Sequence, residues 1–497
     1  MSPKDHPLSE GNESCNSSSA LQEFKRRLVK VLVRSRLNYS DNLFEIRKFF
    51  INLRWERGWS ASELAQEWRT LLRETSAPRH LFTLYLHFPY CKSRCSYCHT
   101  NSRVICGQGP MERYIEEMQE EVRFFAPIFE GIPFNSFAVG GGTPSLMTAT
   151  QLKRFCGSAL DAFQLPEEGL RSVELHPATT DGSKLRALRE LGFKRVSFGV
   201  QSMTPETLRR INRRQSFAAV QAAIHGAKTA GFEVVNADMI FGFVGEPLES
   251  FLKSFRQVAA IHPTEITVTI LSPTEKYMKA TRTTQETYRR YYDDNLMPAF
   301  EGVMGIARRM GYQMPANADP KNREWLVVDP ACPLDRNTYC QETGRRMASM
   351  LGLGRGSRSW IFGRRAYERD WEKFSPKAAI FQVASMSLKE EMAIFILQQL
   401  ESGSRLAYVD FQERFGLDVR EMFPSELKIL KAFGQISLDA ESFHYLPRGV
   451  HHRVFWATVF ALDAFPSLPC AAGLFDGDLR ARLEDELVGV DLCLSAA

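Results

Sequence analysis

The chain has 497 residues, of which 44% are hydrophobic and 24% are charged, and its formal net charge is +5. This balance is that of a globular protein with a sizeable core, and it excludes a collagen-like chain and a generally basic nucleic-acid binder. The sequence contains no run of about 18 apolar residues, so we expect no membrane span. The first 20 residues are polar and show no secretory signal. Ten cysteines are too few for a disulfide scaffold, so we expect a cytoplasmic protein in a reducing compartment.

The first 79 residues divide into two parts. Residues 1–20 are rich in Ser, Asn and acidic residues and predict a disordered tail. Residues 21–79 predict a helical extension, because apolar side chains recur at helical spacing among basic ones. Ser60 and, three positions later, Glu63 open the segment ASELAQEWRTLLRE, which predicts a capped helix start. We expect a docking extension, and a basic amphipathic helix on a membrane surface is the alternative.

Residues 80–275 predict a repeated strand–helix pattern. The strand-like runs are HLFTLYLHF, NSFAVGG, RSVELHP, KRVSFGVQ, EVVNADMIFG and EITVTIL. The helical links between them are long enough for parallel crossovers. We therefore expect an α/β fold whose parallel sheet closes into a full or partial barrel, or lies open as a doubly wound sheet.

The remaining chain predicts three further regions. Residues 276–379 combine a long helix with the glycine-rich segment LGLGRGSRSWIFG and form a barrel extension with a second-cofactor and substrate region. Residues 380–465 predict small helices followed by one hairpin, an order that resembles a winged-helix module. No basic recognition stripe stands out in this module, so we expect no contact with nucleic acid. Residues 466–497 form a C-terminal tail that is helical and acidic towards its end.

The most specific pattern is YLHFPYCKSRCSYCHT, in which Cys91, Cys95 and Cys98 follow a predicted strand at the spacing C-x3-C-x2-C. Three thiolates in one short loop can each bind one iron of a [4Fe–4S] cluster and leave the fourth iron open for a small chelating ligand. A zinc site on Cys95 and Cys98 is the alternative. Zinc needs a second nearby pair, and the sequence has no second C-x-x-C, so we expect an iron–sulfur site.

Two further sets of residues predict a bound ligand. The glycines of VGGGTPS, residues 139–145, let a ligand approach the backbone, although a plain tight turn is an equally good interpretation of this segment alone. Polar residues also lie in or just after apolar predicted strands: Glu174, Gln201, Arg213 and Asp238. Because the carboxyl ends of barrel strands share one face, we expect these residues to meet the cysteines there. Buried charge without a partner is costly, which favours a polar cofactor at this face.

Together these motifs resemble those of radical SAM enzymes, and in particular the oxygen-independent coproporphyrinogen III oxidase-like family. The matching motifs are Y-x-H-x-P-x-C-x3-C-x2-C, GGGTPS, GVQS with INRRQ after it, and NADMIFGFVGEP. The resemblance extends from about Leu81 to Leu271 and, more weakly, to about Leu462. It implies a partial (β/α)6 barrel with an N-terminal helical extension and a C-terminal winged-helix-like domain.

The resemblance also implies cofactors, partners and site residues. The cofactors are a [4Fe–4S] cluster on the three loop cysteines and one or two molecules of S-adenosylmethionine (SAM), one of which chelates the open iron. Tyr85 and His87, beside the cluster, are the implied catalytic residues. The implied SAM-binding residues are Gly141, Gly142, Thr143, Glu174, Gln201, Arg213 and Asp238. The partners are a tetrapyrrole or aromatic natural product as substrate and an electron donor such as flavodoxin or ferredoxin, with no membrane.

The sequence departs from the family pattern at Thr100. The coproporphyrinogen oxidases carry there a fourth cysteine, which helps to place a second SAM. The haem-chaperone relatives share the three-cysteine form and the GLGxG segment, here Gly352, Gly354 and Gly356, but their histidine-bearing haem motif is not evident in this chain. We therefore favour cleavage of SAM to a 5′-deoxyadenosyl radical that leads to C-methylation or a related alkyl transfer with two SAM molecules. The alternatives are a coproporphyrinogen III oxidase in haem synthesis and a haem chaperone-like binding protein.

Overall fold

The computed structural model describes residues 20, 22–24, 26–28, 56–74, 81–105, 107, 109–167, 169–315, 318, 320, 324–332, 349–371, 379–403, 405–446, 459–460 and 477–487. The predicted tail lies outside the described residues except for Ala20, as does the helical pattern predicted over 30–55. The chain forms two compact units, Arg47–Gly403 and a smaller one of Met1–Ile46 with Ser404–Ala497. The domain limits that we placed at 275, 379 and 465 remain predictions.

The strands of the larger unit are numbered in chain order: β1 Glu56–Ser60, β2 Phe82–Phe88, β3 Tyr90–Cys91, β4 Arg103–Val104, β5 Ser136–Gly141, β6 Leu170–Leu175, β7 Arg195–Gln201, β8 Val234–Phe241, β9 Glu265–Ile270, β10 Glu324–Val328, β11 Ser349–Leu353, β12 Arg358–Ile361, β13 Arg365–Arg369 and β14 Ile380–Ser385. Its helices are α1 Ala61–Glu74, α2 Gly109–Phe125, α3 Ala149–Ala162, α4 Gly182–Glu190, α5 Pro205–Arg210, α6 Phe217–Thr229, α7 Leu248–Ala259, α8 Glu275–Thr281, α9 Gln285–Arg309 and α10 Leu388–Gly403.

Twelve of these strands form one sheet in the order β1-β14-β13-β12-β11-β2-β5-β6-β7-β8-β9-β10. The six strands from β2 to β9 pair in parallel and in chain order, each joined to the next through helix. Crossovers between parallel strands are right-handed. Because the strands follow one another in chain order without a reversal, all the crossover helices lie on one face of the sheet, and the sheet curves so that its other face is the concave inner one. The prediction of a six-stranded parallel barrel is therefore confirmed. Sequence reasoning missed β11, which adds a seventh parallel strand beside β2.

The two faces of the parallel strands differ in polarity. In β2, Leu84, Leu86 and Phe88 are fully buried in the core that includes side chains of α2 and α3, whereas Tyr85 and His87 alternate with them on the opposite face. The register aligns two polar rows on that opposite face. One row is Glu174, Ser197, Asn236 and Glu265, and the next is Gly199, Asp238 and Thr267. Parallel strands usually bury apolar residues on both faces, so this polar concave face indicates a ligand site.

The N-terminal part of the larger unit differs from the helical extension that we expected. Glu56–Ser60 is a strand that pairs antiparallel with β14, and its register shifts between Arg57 and Trp59. Gly58 lies at this bulge with a φ of 108°, a conformation that a helix does not allow. The predicted start of α1 is confirmed, since Ser60 and Glu63 exchange hydrogen bonds in a capping box. Trp68 then donates from Nε1 to the Tyr367 hydroxyl at 2.9 Å and ties α1 to β13.

The smaller unit contains a three-stranded sheet and short helices. Its elements are β15 Arg405–Ala407, α11 Tyr408–Phe415, α12 Val419–Met422, α13 Pro424–Ala432, β16 Ile436–Leu438, β17 Ser442–Tyr445 and α14 Gly477–Glu486. The sheet order β15-β17-β16 places the terminal hairpin beside β15, as in the predicted winged-helix order. The helical residues near Ala20 also belong here, because Glu23 accepts a 2.7 Å hydrogen bond from Arg482. No helix among the described residues combines the length and apolar character that crossing a bilayer requires.

Candidate radical SAM site

The three cysteines lie on a loop at the carboxyl end of β2, and each thiol is half-buried and unpaired by any disulfide. A different group contacts each sulfur atom. Thr143 donates to Cys91 Sγ at 3.5 Å, the Thr100 amide lies 3.4 Å from Cys98 Sγ, and Arg213 Nη1 lies 3.9 Å from Cys95 Sγ. Burial raises the pKa of Cys91. A bound cation such as iron would therefore favour the thiolate form of Cys91.

Tyr85, His87 and Asn101 form a chain of hydrogen bonds beside this loop. His87 Nε2 lies 2.7 Å from the Asn101 carbonyl oxygen, which can only accept, so the ring proton is on Nε2. Burial lowers the pKa of His87 to about 4, which keeps the ring neutral, and Nδ1 is then an acceptor. The Tyr85 hydroxyl, 3.1 Å from Nδ1, must donate to it. The proton of the Tyr85 hydroxyl is therefore directed at His87.

The glycines of VGGGTPS are required by their protein neighbours. A Cβ on Gly141 would lie 2.7 Å from His87 Cε1, and its φ of 106° disfavours other residues. A Cβ on Gly142 would lie 2.7 Å from the Tyr90 carbonyl carbon. The protein's own neighbours therefore suffice to explain Gly141 and Gly142, and contact of these glycines with SAM stays a prediction.

Glu174 lies close to Gly140, the first glycine of VGGGTPS. A Cβ on Gly140 would be 2.9 Å from the Glu174 carboxylate and 3.2 Å from the Tyr85 hydroxyl, so both oxygens lie close to the same point of the backbone. Glu174 is exposed on the concave face although it lies within β6. Both oxygens belong to groups that can accept hydrogen bonds from an ammonium group.

Arg213 and Gln201 meet over Gly199 at the end of β7. Arg213 is 8% exposed and donates to the Gly199 carbonyl oxygen, while its Nε binds Gln215 Oε1 at 2.9 Å. A Cβ on Gly199 would lie 2.8 Å from Gln201 Nε2 and 3.2 Å from Arg213 Nη2. The twelve-residue spacing from Gln201 thus returns Arg213 to the same strand end, beside Cys95.

Asp238 lies one strand further along, as the register partner of Gly199. Its carboxylate accepts from Ser197, by a short hydrogen bond, and from Asn236 Nδ2 at 2.6 Å. Burial raises the pKa of Asp238, and these two donors oppose that shift. Part of the hydrogen-bonding capacity of Asp238 is therefore used within the sheet.

Sequence reasoning missed His176, which follows Glu174 by two positions and so shares its face of the chain. Its Nδ1 accepts the Ala178 amide at 3.1 Å, which leaves the proton on Nε2. Burial chiefly, and Arg213 in addition, lower its pKa to about 3. The signal for such residues is present in the sequence as polar residues at alternate positions of apolar strands.

The glycine-rich segment between β11 and β12 packs against the same region. A Cβ on Gly354 would lie 2.8 Å from the His87 carbonyl oxygen, to which the Tyr114 hydroxyl donates at 2.5 Å. Asn101 Nδ2 donates to the Gly356 carbonyl at 3.1 Å and to Glu368 at 2.8 Å. This segment therefore supports the backbone of His87 and Asn101 from outside the six-stranded barrel.

The residues present fit the implied cofactors. Three separate thiols on one loop suit a polynuclear cluster. The polar concave face, with Tyr85, Glu174 and Arg213, offers acceptors and a cation to a zwitterionic cofactor.

Comparison with known proteins agrees with this arrangement. Residues 85–258 match the family described as the Radical SAM superfamily. The chain is 24% identical to the oxygen-independent coproporphyrinogen III oxidase of Escherichia coli over 384 residues, which cover 75% of this chain and 83% of that protein. It is 25% identical to the Pseudomonas aeruginosa oxidase over 400 residues, which cover 74% and 83%. A Synechocystis oxidase is 30% identical over 187 residues, which cover 37% and 40%.

A solved structure has the same fold. Coproporphyrinogen III oxidase from Escherichia coli, described as a radical SAM enzyme, superposes with a TM-score of 0.65 at 20% identity and covers 84% of this chain and 98% of its own. The superfamily implies a [4Fe–4S] cluster and SAM as cofactors. The chain therefore carries a radical SAM enzyme domain and resembles the oxygen-independent coproporphyrinogen III oxidases, as its motifs predicted.

Proposed function

We propose that this protein oxidises coproporphyrinogen III without oxygen, the activity for which its relatives are named. The observation that carries the proposal is the extent of the likeness. It covers 75% of this chain, whereas the radical SAM segment alone ends at residue 258, so the chain beyond the barrel is shared with the oxidases as well. These relatives support oxidation better than the methyl transfer that we favoured from the sequence.

In this proposal Cys91, Cys95 and Cys98 hold the cluster. Thr143 and Arg213, which contact two of the sulfur atoms, stabilise the thiolates by hydrogen bonding and charge. Tyr85 and Glu174 present oxygen acceptors to the amino group of SAM. Gln201, Arg213 and Asp238 line the concave face further along the strand ends and bind the rest of the cofactor.

When bound and reduced by one electron, the cluster and SAM supply a 5′-deoxyadenosyl radical that removes a hydrogen atom from the substrate. The protein's own contribution is to hold the reacting groups and to exclude water from them. His87 contributes by orientation, because its neutral ring fixes the direction of the Tyr85 hydroxyl. A carboxylate-bearing substrate suits a face that also holds Arg213 and the His176 Nε2 proton.

An anaerobic assay tests the proposal. Reconstituted protein is incubated with SAM, dithionite and coproporphyrinogen III, and 5′-deoxyadenosine and carbon dioxide are both quantified. We expect both products in proportion, with the Cys95→Ala variant as the inactive control. Formation of 5′-deoxyadenosine without decarboxylation would contradict the substrate and leave the enzyme class intact.

The same assay addresses the two other functions. S-adenosylhomocysteine and a methylated product would indicate methyl transfer, and a Soret band on haem titration without SAM cleavage would indicate a haem-binding protein. Equilibrium dialysis with labelled SAM gives the number of cofactor molecules. We expect two for the wild type, which would mean that Thr100 does not prevent binding of the second molecule.

A further inference from the structure

Exposed cations lie on the cysteine loop and on the helix beside it. Lys92 and Arg94 lie between the first two cysteines, and Lys276 and Lys279 lie one turn apart on α8. Lys276 Nζ is 3.3 Å from the Cys95 carbonyl oxygen, so α8 lies directly against the loop. None of these four cations takes part in an ion pair within the described ranges. Unpaired like charges at one place are the electrostatic pattern of a surface that meets an anionic partner.

The backbone beneath these cations is fixed. The Ser96 amide donates to the Ile211 carbonyl at 3.0 Å, and Thr274 Oγ1 donates to the Ser96 carbonyl at 3.2 Å. Asn212 Nδ2 also donates to the Arg94 carbonyl at 3.1 Å. The loop, the turn after α5 and the start of α8 thus form one anchored surface.

Two carboxylates belong to the same segments, and neither cancels the charge. Glu206 is engaged by Arg209 at 3.0 Å, and Glu275 is exposed beside Lys276. The four cations exceed the one remaining carboxylate, so the surface keeps a positive charge. We call the surface formed by Lys92, Arg94, Lys276 and Lys279 the basic rim.

The inner side of the loop is turned towards the barrel. Thr143 contacts Cys91 there, and Arg213 contacts Cys95 and the Tyr97 hydroxyl, at 3.4 Å. Lys92 and Arg94 are exposed residues of the same loop and belong to the basic rim, so another protein can approach the loop there.

We propose that the basic rim is the docking surface for an acidic one-electron donor protein. This inference rests on the proposed radical SAM chemistry, in which one electron must pass from the donor to the cluster for each SAM that is cleaved. No bond or proton need move between the two proteins, so the docking surface has to supply close approach and complementary charge, and the donor supplies a reduction potential low enough to reduce the cluster.

The test measures the rate of cluster reduction, which requires neither substrate nor SAM. Bleaching of the cluster absorbance is followed anaerobically with a reduced, strongly acidic flavodoxin as the probe, and separately with dithionite. For the variant Lys276→Glu/Lys279→Glu we expect about a tenfold slower reduction by flavodoxin, with a weaker dependence on salt. Reduction by dithionite should stay within about twofold of the wild type.

Two further variants keep the test decisive. Lys279→Glu alone leaves the Lys276 contact with Cys95 intact and should show part of the same loss. Lys253→Glu reverses the charge of an exposed residue on α7 and should leave the rate of cluster reduction by flavodoxin unchanged. An unchanged rate with flavodoxin in the double variant, or an equal loss with dithionite, would overturn the proposal. A protein whose cluster is reduced normally but which fails to cleave SAM would refute the proposed function and leave the docking surface standing.

Discussion

A buried ion network connects the glycine-rich segment to the barrel, and its loss should be costly. Arg369, at the end of β13, has a fully buried side chain that binds Glu117 at 2.8 Å and Glu121 by a short contact. Arg355, within the glycine-rich segment, binds Glu117 with two nitrogens, at 2.6 and 2.9 Å. Both carboxylates belong to α2, whose Tyr114 holds the His87 carbonyl. The variant Arg369→Met should therefore leave Glu121 without a neutralising partner.

The magnitude of this loss follows from the burial of Glu121. Removing one partner of a buried pair costs about 3–5 kcal/mol, because the other charge is left uncompensated. Burial already raises the pKa of Glu121, and Arg369 opposes that shift. Without Arg369 the carboxyl group can take up a proton instead. Protonating a carboxyl group of ordinary pKa at pH 7.5 costs about 4 kcal/mol. The free energy of unfolding that the variant loses through Glu121 therefore cannot exceed about this value.

The sign of the pH dependence follows from the same argument. In the variant, the folded state keeps its proton on Glu121 to a higher pH than the unfolded state does, so the stability of the variant falls as pH rises above about 5. Thermal unfolding, followed by tryptophan fluorescence under anaerobic conditions, should show a Tm lowered by roughly 5–10 °C at pH 7.5 and by less at pH 6.

A second substitution supplies the control. Glu121→Gln removes the carboxylate that is left unpaired when Arg369 is replaced. The variant Glu121→Gln/Arg369→Met should therefore have a Tm well above that of Arg369→Met and closer to that of the wild type. A Tm lowered by less than about 1 °C in the single variant, or by equal amounts at both pH values, would refute the reasoning.

Three further predictions address the site itself. Cys91→Ala, Cys95→Ala and Cys98→Ala should each lose the cluster, and iron and sulfide at wild-type levels in any of them would contradict its assignment. Gly142→Ala should lower the Tm because its Cβ would overlap Tyr90, whereas Gly157→Ala on α3, with nothing within 4 Å, should be neutral or stabilising. His87, whose pKa is lowered to about 4, should reduce the stability of the apoprotein as pH falls from about 6.5 to 4, and His87→Gln should flatten urea-unfolding free energies over that range.

Local patterns could be predicted from the sequence better than contacts between distant residues. The spacing of Cys91, Cys95 and Cys98 and the alternation in β2 are local patterns, so they identify the loop and the concave face directly. The reason for Gly141 is not local, because the ring that excludes a Cβ belongs to His87 on the neighbouring strand. The same holds for β1, where the sequence pattern predicted a helix. The segment forms a strand instead, because it pairs with β14, more than 300 residues away in the chain.

Gln201 shows how a contact that no local pattern predicts can arise. Its φ of 69° is left-handed, and the register of β7 with β8 shifts between Gly199 and Gln201. This conformation costs a residue other than glycine roughly 1–2 kcal/mol, and here it accompanies a Gln201 amide that lies back over Gly199. Gln201→Gly should thus be more stable than Gln201→Ala by about 1 kcal/mol in urea unfolding, while both lose affinity for SAM because both lack the amide. If Gln201→Ala proved as stable as Gln201→Gly, the backbone would carry no strain, and the return of the side chain over Gly199 would need another cause.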